Sequence, residues 1–308
     1  MICPHKLVER EDIVMKKRLF AALLLTVMSL CACTSSDDTI NGSKLADYPT
    51  NEEYSIPEGT LRLTSIKMGE ADSFIIQTTN FTVVMDTGMN KKGKKLVKEL
   101  KDHGVKKVDA LVISHYDKDH VGGADKVIKY FDIGNVYSTY RSKTSDEMVE
   151  YYAALKSKAL DENVVSKEIS FEADGVTYTI YPAQSRSYVD DISNNSSLAM
   201  RVVNGNKSIL FTGDALEERI EELVNTPGLE SDILKVPHHG REKEEEIFER
   251  FIDYINPSYA IIPTEGKSSE EHKIADYLKG KNIETFITSD GDRIFDITAD
   301  DITTYEEE

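Results

Sequence analysis

One short segment of the chain concentrates side chains that bind metal ions. Two histidines and two aspartates, His115, Asp117, Asp119 and His120, lie within six residues, directly after an apolar stretch that ends at Ser114. Imidazole nitrogens and carboxylate oxygens are ligands of zinc and related ions, and a strand-to-helix turn can direct them toward two ions. The glycines at positions 122 and 123 let backbone pass close to such a site. A solvated capping loop is the alternative, but the order H-x-D-x-D-H-x-G-G favours a metal site.

Three more histidines lie in the second half of the chain, the adjacent pair His238 and His239 and the later His272. All three flank predicted strands or loops. A lone histidine is more often structural than catalytic, so this placement is a weak signal by itself. For His272, the alternative to a functional role is a solvated residue at the start of a helix.

Alternating strand-like and helix-like segments must position these side chains. Apolar alternation and turn residues predict strands over residues 61–68, 73–78, 81–86, 108–114, 135–138, 168–171, 177–181, 198–204, 208–212, 232–236, 259–263, 283–288 and 293–297. Helical spacing predicts helices over residues 91–103, 123–131, 145–160, 214–225, 242–255 and 268–279. Opening β-meanders followed by mixed β/α units predict an α+β fold of two sheets with helices outside.

The N-terminal residues have the pattern of an export signal. Met15 is followed by Lys-Lys-Arg and then by a mostly apolar stretch over residues 19–30, which is too short to span a bilayer comfortably. The sequence Leu-Cys-Ala-Cys that ends at Cys33 resembles a bacterial lipobox. We therefore expect a signal peptide with a lipobox over residues 1–32, lipidation of Cys33 and a polar tether over residues 33–59. This predicts an extracytoplasmic bacterial lipoprotein that a lipid anchor attaches to the membrane.

Taken in order, the motifs resemble those of the metallo-β-lactamase superfamily, whose usual segment is H-x-H-x-D-H. The variant with Asp117 in place of the second histidine is similar to the hydrolase domain of ComEC-type competence proteins. Further segments agree with that branch: M-G-E-A-D-S at 68–73, V-M-D-T-G at 84–88, N-N-S-S-L at 194–198, L-F-T-G-D-A at 210–215, L-K-V-P-H-H-G at 234–240, and His272. The resemblance implies a four-layer αβ/βα sandwich over residues 60–308, as a free-standing hydrolase domain.

The resemblance also implies a centre for two divalent metal ions, Zn²⁺ or Mn²⁺. The implied metal ligands are His115, Asp117, Asp119, His120, Asp214 and His239. Of the adjacent pair, His239 is favoured as the ligand and His238 as a donor that faces the substrate. The implied catalytic residues are Asp119, His238 and His272, and the residues expected to support or orient the ligands are Asp72, Asp86, Asn195 and Lys235. The implied nucleophile is a hydroxide that bridges the two metals.

The net charge of the chain narrows the range of expected substrates. The chain of 308 residues has 37 basic and 55 acidic side chains and a net charge of −18, which argues against unaided binding of nucleic acid. We expect a phosphodiesterase-type hydrolase that acts on a small-molecule or cell-envelope phosphoester. DNA is possible but not favoured, β-lactams are unlikely, and no oligomeric state follows from the sequence.

Two departures from the superfamily pattern support a second hypothesis. Arg241 follows the H-H-G motif where relatives usually have serine, and residues 194–197 lack the third histidine of the first metal position. The alternative is therefore a non-catalytic lipoprotein that binds a ligand or has a structural role on a degenerate metallo-β-lactamase fold.

Overall fold

The computed structural model describes residues 39–40, 43–241 and 245–307. The predicted signal peptide and Cys33 lie outside the described residues. The chain divides into two units, residues 1–44 and residues 45–308. In the first unit, a hairpin of β1 (Thr39–Ile40) and β2 (Ser43–Lys44) is described. The second unit contains the two large sheets and the predicted site.

The second unit alternates strands and helices from residue 61 onward. Its strands are β3 (Leu61–Ser65), β4 (Ser73–Gln77), β5 (Thr82–Thr87), β6 (Lys107–Ile113), β7 (Asp132–Ser138), β8 (Glu162–Val164), β9 (Ile169–Ala173), β10 (Val176–Tyr181), β11 (Ala199–Asn204), β12 (Lys207–Phe211), β13 (Ile233–Lys235), β14 (Tyr259–Ile262), β15 (Glu284–Ile287), β16 (Arg293–Ile297) and β17 (Ile302–Glu306). Its helices are α1 (Gly93–Asp102), α2 (Lys118–Val121), α3 (Ala124–Tyr130), α4 (Asp146–Ser157), α5 (Ile192–Asn195), α6 (Glu217–Val224), α7 (Glu245–Ile255) and α8 (Ser269–Gly280).

The strands form two mixed sheets. The eight-stranded sheet has the order β17-β16-β3-β4-β5-β6-β7-β8, and the seven-stranded sheet has the order β15-β14-β13-β12-β11-β10-β9. In each sheet one side is antiparallel and the other parallel, and the change falls at β5 in the first sheet and at β12 in the second. The parallel halves follow from the helices between their strands, because parallel neighbours need a crossover connection.

A continuous apolar core joins the two sheets. Phe74 and Ile76 of β4 and Phe211 of β12 are among the buried residues that form it, and the rings of Phe74 and Phe211 lie 5.1 Å apart. Strand residues alternate in direction, so Ile75 points to the opposite face, and it too is fully buried. Burial on both faces is the reason these strands read as nearly unbroken apolar runs.

Helices cover the outer faces of the sheets. On the seven-stranded sheet, Phe248 and Phe251 of α7 and Leu278 of α8 pack against Leu210 and Leu234. On α1, Leu96, Val97 and Leu100 recur at helical spacing and are fully buried. The predicted α+β sandwich of two sheets flanked by helices is therefore confirmed.

Several short elements and the start of the folded unit differ from the sequence prediction. The hairpin β1–β2, the edge strands β8 and β17 and the short helices α2 and α5 were not predicted, because none of them contains a recognisable apolar pattern. The polar segment that was expected to remain a tether up to residue 59 packs from Leu45 onward. Leu45 is fully buried, and Nζ of Lys101 donates to the carbonyl oxygens of Leu45 at 3.0 Å and Tyr48 at 2.7 Å. The folded unit therefore begins at Leu45 rather than at residue 60. The segment lacks periodicity, but its buried apolar side chains and its hydrogen bonds with Lys101 hold it in place.

Candidate metal centre

One edge of the two sheets gathers the predicted ligands. His115 and Asp117 follow the end of β6, Asp214 follows β12, and His239 follows β13. Asp72 directly precedes β4, and because β4 runs antiparallel to β5, its start lies at the same edge as the end of β5. The strands thus bring side chains that are far apart in sequence to a single place.

The turn after β6 depends on its glycines. A Cβ atom on Gly122 would lie 2.2 Å from the carbonyl oxygen of Lys118 and 2.5 Å from the backbone nitrogen of Asn90, so only glycine fits without movement of the backbone. The hydroxyl of Thr87 donates to the carbonyl oxygen of His120 at 2.7 Å. The short helix α2, which carries Asp119 and His120, is therefore fixed against the end of β5.

Two imidazoles and two carboxylates converge at the centre of the site. Nε2 of His120 lies 3.1 Å from Oδ2 of Asp214, and Nε2 of His239 lies 3.2 Å from the same oxygen. Oδ2 of Asp119 lies 3.3 Å from Nε2 of His239 and 3.9 Å from Nε2 of His120. Both imidazoles are buried, and neither Nε2 atom has a hydrogen-bond partner among the described residues.

A second group of ligands lies beside the first. The rings of His115 and His120 are 4.1 Å apart, and Nε2 of His115 is 3.6 Å from Oδ1 of Asp117. That Nε2 atom is also buried without a hydrogen-bond partner in the described part of the chain. Oδ1 of Asp117 accepts from Nζ of Lys143 at 2.6 Å and from the hydroxyl of Ser193. This position therefore carries a protein cation on its carboxylate.

The opposite nitrogens of the imidazoles are held by the protein. Nδ1 of His120 lies 2.8 Å from Oδ2 of Asp86, whose two oxygens also accept from the backbone nitrogen and the hydroxyl of Ser114 at 2.7 Å each. Nδ1 of His239 lies 2.7 Å from the carbonyl oxygen of Pro263. Such partners fix the tautomer and ring orientation, so that Nε2 faces the ligand position.

Asp72 belongs to this supporting layer rather than to the ligand cluster, although its carboxylate lies close to it. Its Oδ2 pairs with Nζ of the fully buried Lys235 at 2.7 Å, and its nearest imidazole atoms are the Nδ1 atoms, 3.5 Å away in His239 and 3.8 Å in His120. Lys235 also lies 3.2 Å from Oδ1 of Asp214. On this side Asp119, rather than Asp72, is the carboxylate that faces the Nε2 atoms.

Electrostatics divides the histidines into two kinds. Burial lowers the pKa of both His120 and His239, but Asp214 and the other nearby carboxylates outweigh it, raising the pKa of His239 to about 10 and that of His120 well above its usual range. His115 is different, because burial and the charge of His120 lower its pKa to about 4. Burial would raise the pKa of Asp214, yet the two histidines and Lys235 hold it well below its usual value.

The other predicted residues lie at varying distances from this cluster. His238 is half-buried in the same turn as His239, with a positive φ of 44°, and burial lowers the pKa of its imidazole. Asn195 is buried, but its Oδ1 accepts from the backbone nitrogens of Leu216 and Arg219 at the start of α6. His272 is exposed on α8, and among the described residues no hydrogen bond or ion pair joins its side chain to the cluster. The structure therefore does not bring His272 together with the ligands.

Several residues of the site were not found from the sequence. Ser114 could have been, because it directly precedes the ligand segment. Ser197, whose hydroxyl accepts from the backbone nitrogen of Asp214 at 3.0 Å, lies in a motif that was singled out for other reasons. Lys143 and Ser193 had no sequence signal, because their contact with Asp117 depends on a loop and the short helix α5, which only the fold brings together.

The donor set fits divalent metal ions. Three buried Nε2 atoms, those of His115, His120 and His239, have no hydrogen-bond partner among the described residues, and unpartnered buried polar atoms are costly. Five carboxylates, those of Asp72, Asp86, Asp117, Asp119 and Asp214, face two ammonium groups, those of Lys143 and Lys235, and two imidazoles with raised pKa values among the described residues, which leaves excess negative charge. Bound cations satisfy both the nitrogens and the excess negative charge, and a set this rich in oxygen suits Mn²⁺ as well as Zn²⁺.

Comparison with known proteins identifies the family of this fold. Residues 67–262 match the Metallo-beta-lactamase superfamily. The chain belongs to that superfamily.

Two relatives are ComEC-type competence proteins. The chain is 28% identical to competence protein ComA from Neisseria gonorrhoeae over 74% of its own length, and 30% identical to ComE operon protein 3 from Bacillus subtilis over 58%. The matches span only 30% and 23% of those relatives. Among solved structures, the metallo-beta-lactamase fold protein YhfI from Bacillus subtilis is 12% identical, with a TM-score of 0.49 over 80% of this chain and 100% of YhfI.

Proposed function

We propose that the protein is a metal-dependent hydrolase of phosphodiester type. The observation that carries this proposal is the convergence of three unpartnered imidazole nitrogens on the carboxylates of Asp117, Asp119 and Asp214. When bound there, divalent ions supply a nucleophile from water near neutral pH and offset charge on a phosphate. His115 and Asp117 would hold one ion, Asp119, His120 and His239 the other, and Asp214 would contact both.

The chain's own residues define where a substrate enters. The side chains of Asp117 and Asp119 are 25% and 18% exposed, whereas those of His115 and His120 are fully buried. The open side of the site is therefore the carboxylate side, and the ammonium of Lys143 stands there, where it fits an anionic group. The half-buried imidazole of His238 lies in the same turn as His239, and we propose it as a hydrogen-bond donor that faces the substrate.

The experiment is hydrolysis of bis-p-nitrophenyl phosphate by protein loaded with Mn²⁺ or Zn²⁺. We expect turnover with at least one metal and loss of at least about a hundredfold in Asp119→Ala. A phosphomonoester, a nuclease substrate and nitrocefin complete the panel. Metal-loaded protein that cleaves no phosphoester would refute the proposal, and efficient nitrocefin turnover would refute the preference for phosphoesters.

The natural substrate is proposed to be a small-molecule or cell-envelope phosphoester, with the protein held outside the cytoplasmic membrane through lipid on Cys33. Two matched relatives are named for competence, but this chain spans less than a third of each, so DNA enters only as one arm of the panel. Mass spectrometry of the protein from its native membrane tests the anchor. An unmodified Cys33 in the mature protein would refute it.

A non-catalytic binding role is the second candidate, favoured by one observation. The guanidinium of Arg241, which stands where relatives usually have serine, pairs with Glu70 at 2.5 Å and lies 3.5 Å from Glu271, so other protein side chains hold it. Elemental analysis separates the candidates, because a binding role predicts fewer than one metal ion per chain after reconstitution.

A further inference from the structure

We propose that the ammonium group of Lys143 competes with a divalent ion for the carboxylate of Asp117 and so weakens metal binding at the His115–Asp117 position. The inference rests on the metal centre proposed above and adds a competing cation to one of its two positions.

The competition is for one atom. Oδ1 of Asp117 is the oxygen that lies 3.6 Å from Nε2 of His115, and it is the same oxygen that accepts from Nζ of Lys143 at 2.6 Å and from the hydroxyl of Ser193. A metal ion held between His115 and Asp117 would need that oxygen. A charge-assisted hydrogen bond must therefore be broken or moved before the ion binds.

The neighbouring position has no lysine competitor. Asp214 also contacts an ammonium group, but Lys235 lies 3.2 Å from its Oδ1, while Oδ2 faces the two Nε2 atoms. Asp119 has no ion pair with a lysine or arginine in the described part of the chain. An ion at that position would displace no lysine ammonium group, so the effect of Lys143 is confined to the His115–Asp117 position.

The ammonium group of Lys143 can move away from Asp117 more easily than that of Lys235 can move away from Asp72 and Asp214. The side chain of Lys143 is 35% exposed and lies on the segment between β7 and α4, whereas that of Lys235 is fully buried between Asp72 and Asp214. The long lysine stem can turn its ammonium group into water at little desolvation cost. The pair with Asp117 therefore raises the metal concentration needed to fill the position without closing it.

Equilibrium dialysis of the metal-free protein against Mn²⁺, with bound metal measured by elemental analysis, tests the proposal. We expect the wild-type protein to bind two ions. Lys143→Met should lower one of the two Kd values about tenfold, a Coulomb effect discounted for exposure, and leave the other unchanged. Lys143→Arg should bind as the wild type does.

Ser193→Ala is the matched control, because it removes a neutral donor from the same oxygen and leaves the cation in place. It should lower neither Kd. The proposal is overturned if Lys143→Met lowers neither Kd, or if Ser193→Ala lowers one of them equally. Since no substrate is present, an inactive protein that shows the shift would sink the hydrolase proposal alone, and an active protein without the shift would sink this one alone.

Discussion

Oδ2 of Asp86 lies 2.8 Å from Nδ1 of His120 and leaves Nε2 of that imidazole facing Asp214. Asp86 has a positive φ of 55°, a conformation that asparagine also tolerates. Asp86→Asn should therefore fold but weaken metal binding about 10- to 100-fold, the usual effect of losing a carboxylate that orients a ligand. Equilibrium dialysis measures the change. Asp109→Asn is the control, since Asp109 accepts from the backbone nitrogen of Thr82 at the start of β5, and equal weakening in both variants would contradict the assignment.

Lys235 should be important for stability before any metal binds. Its ammonium group is fully buried between Asp72 and Asp214, so Lys235→Met removes from both buried carboxylates the lysine that pairs with them. We expect the free energy of unfolding of the metal-free protein to fall by about 3–5 kcal/mol. Urea unfolding measures it. Lys207→Met, which breaks a partly exposed pair with Asp232, should cost at most about 1 kcal/mol, and a similar loss in both variants would argue against the buried pair.

Metal binding should release protons. The pKa of His239 is raised to about 10 and that of His120 well above its usual range, so both hold protons at pH 7.5 in the metal-free protein. A metal ligand must be neutral at Nε2, so binding should expel about two protons, and affinity should rise with pH toward about 10. His115, with a pKa of about 4, contributes none. Calorimetry in buffers of different ionisation enthalpy counts the protons, and a buffer-independent enthalpy would contradict the prediction.

The two remaining histidines should differ in catalysis. His238 is half-buried in the turn that carries His239, whereas His272 is exposed on α8 without a described contact to the cluster. His238→Phe should lower kcat/KM for an aryl phosphodiester about tenfold, because a hydrogen bond to a charged group contributes about 1.5–3 kcal/mol. His272→Gln should change it less than about threefold. Steady-state kinetics of the metal-loaded variants decides, and the reverse order would restore the catalytic role first expected for His272.

The ligand segment was predictable because its chemistry is local in sequence. His115 through His120 follow one apolar strand, and the buried strands on either side of the site are strongly patterned. The two-sheet architecture was predictable for the same reason, since strand and helix periods alternate along the chain. The later motifs gave Asp214 and His239 only through their order and resemblance.

What escaped prediction depends on contacts between distant segments. Lys143 and Ser193 contact Asp117 from positions 26 and 76 residues away in the sequence, and nothing in their own neighbourhoods marks them. The packed segment after Leu45 was also missed. Its carbonyl oxygens accept hydrogen bonds from Lys101, and such contacts leave no apolar pattern in the sequence. Resemblance likewise gave His272 a role that the described contacts do not support.

The placement of the ligands on two sheets has a mechanical consequence. His115 and His120 follow strands of the eight-stranded sheet, whereas Asp214 and His239 follow strands of the seven-stranded one, so each ion would link the two sheets. A chain cut between β8 and β9 would leave some of the metal-binding residues on each fragment. Metal bound after such a cut would therefore show that the two fragments have reassembled.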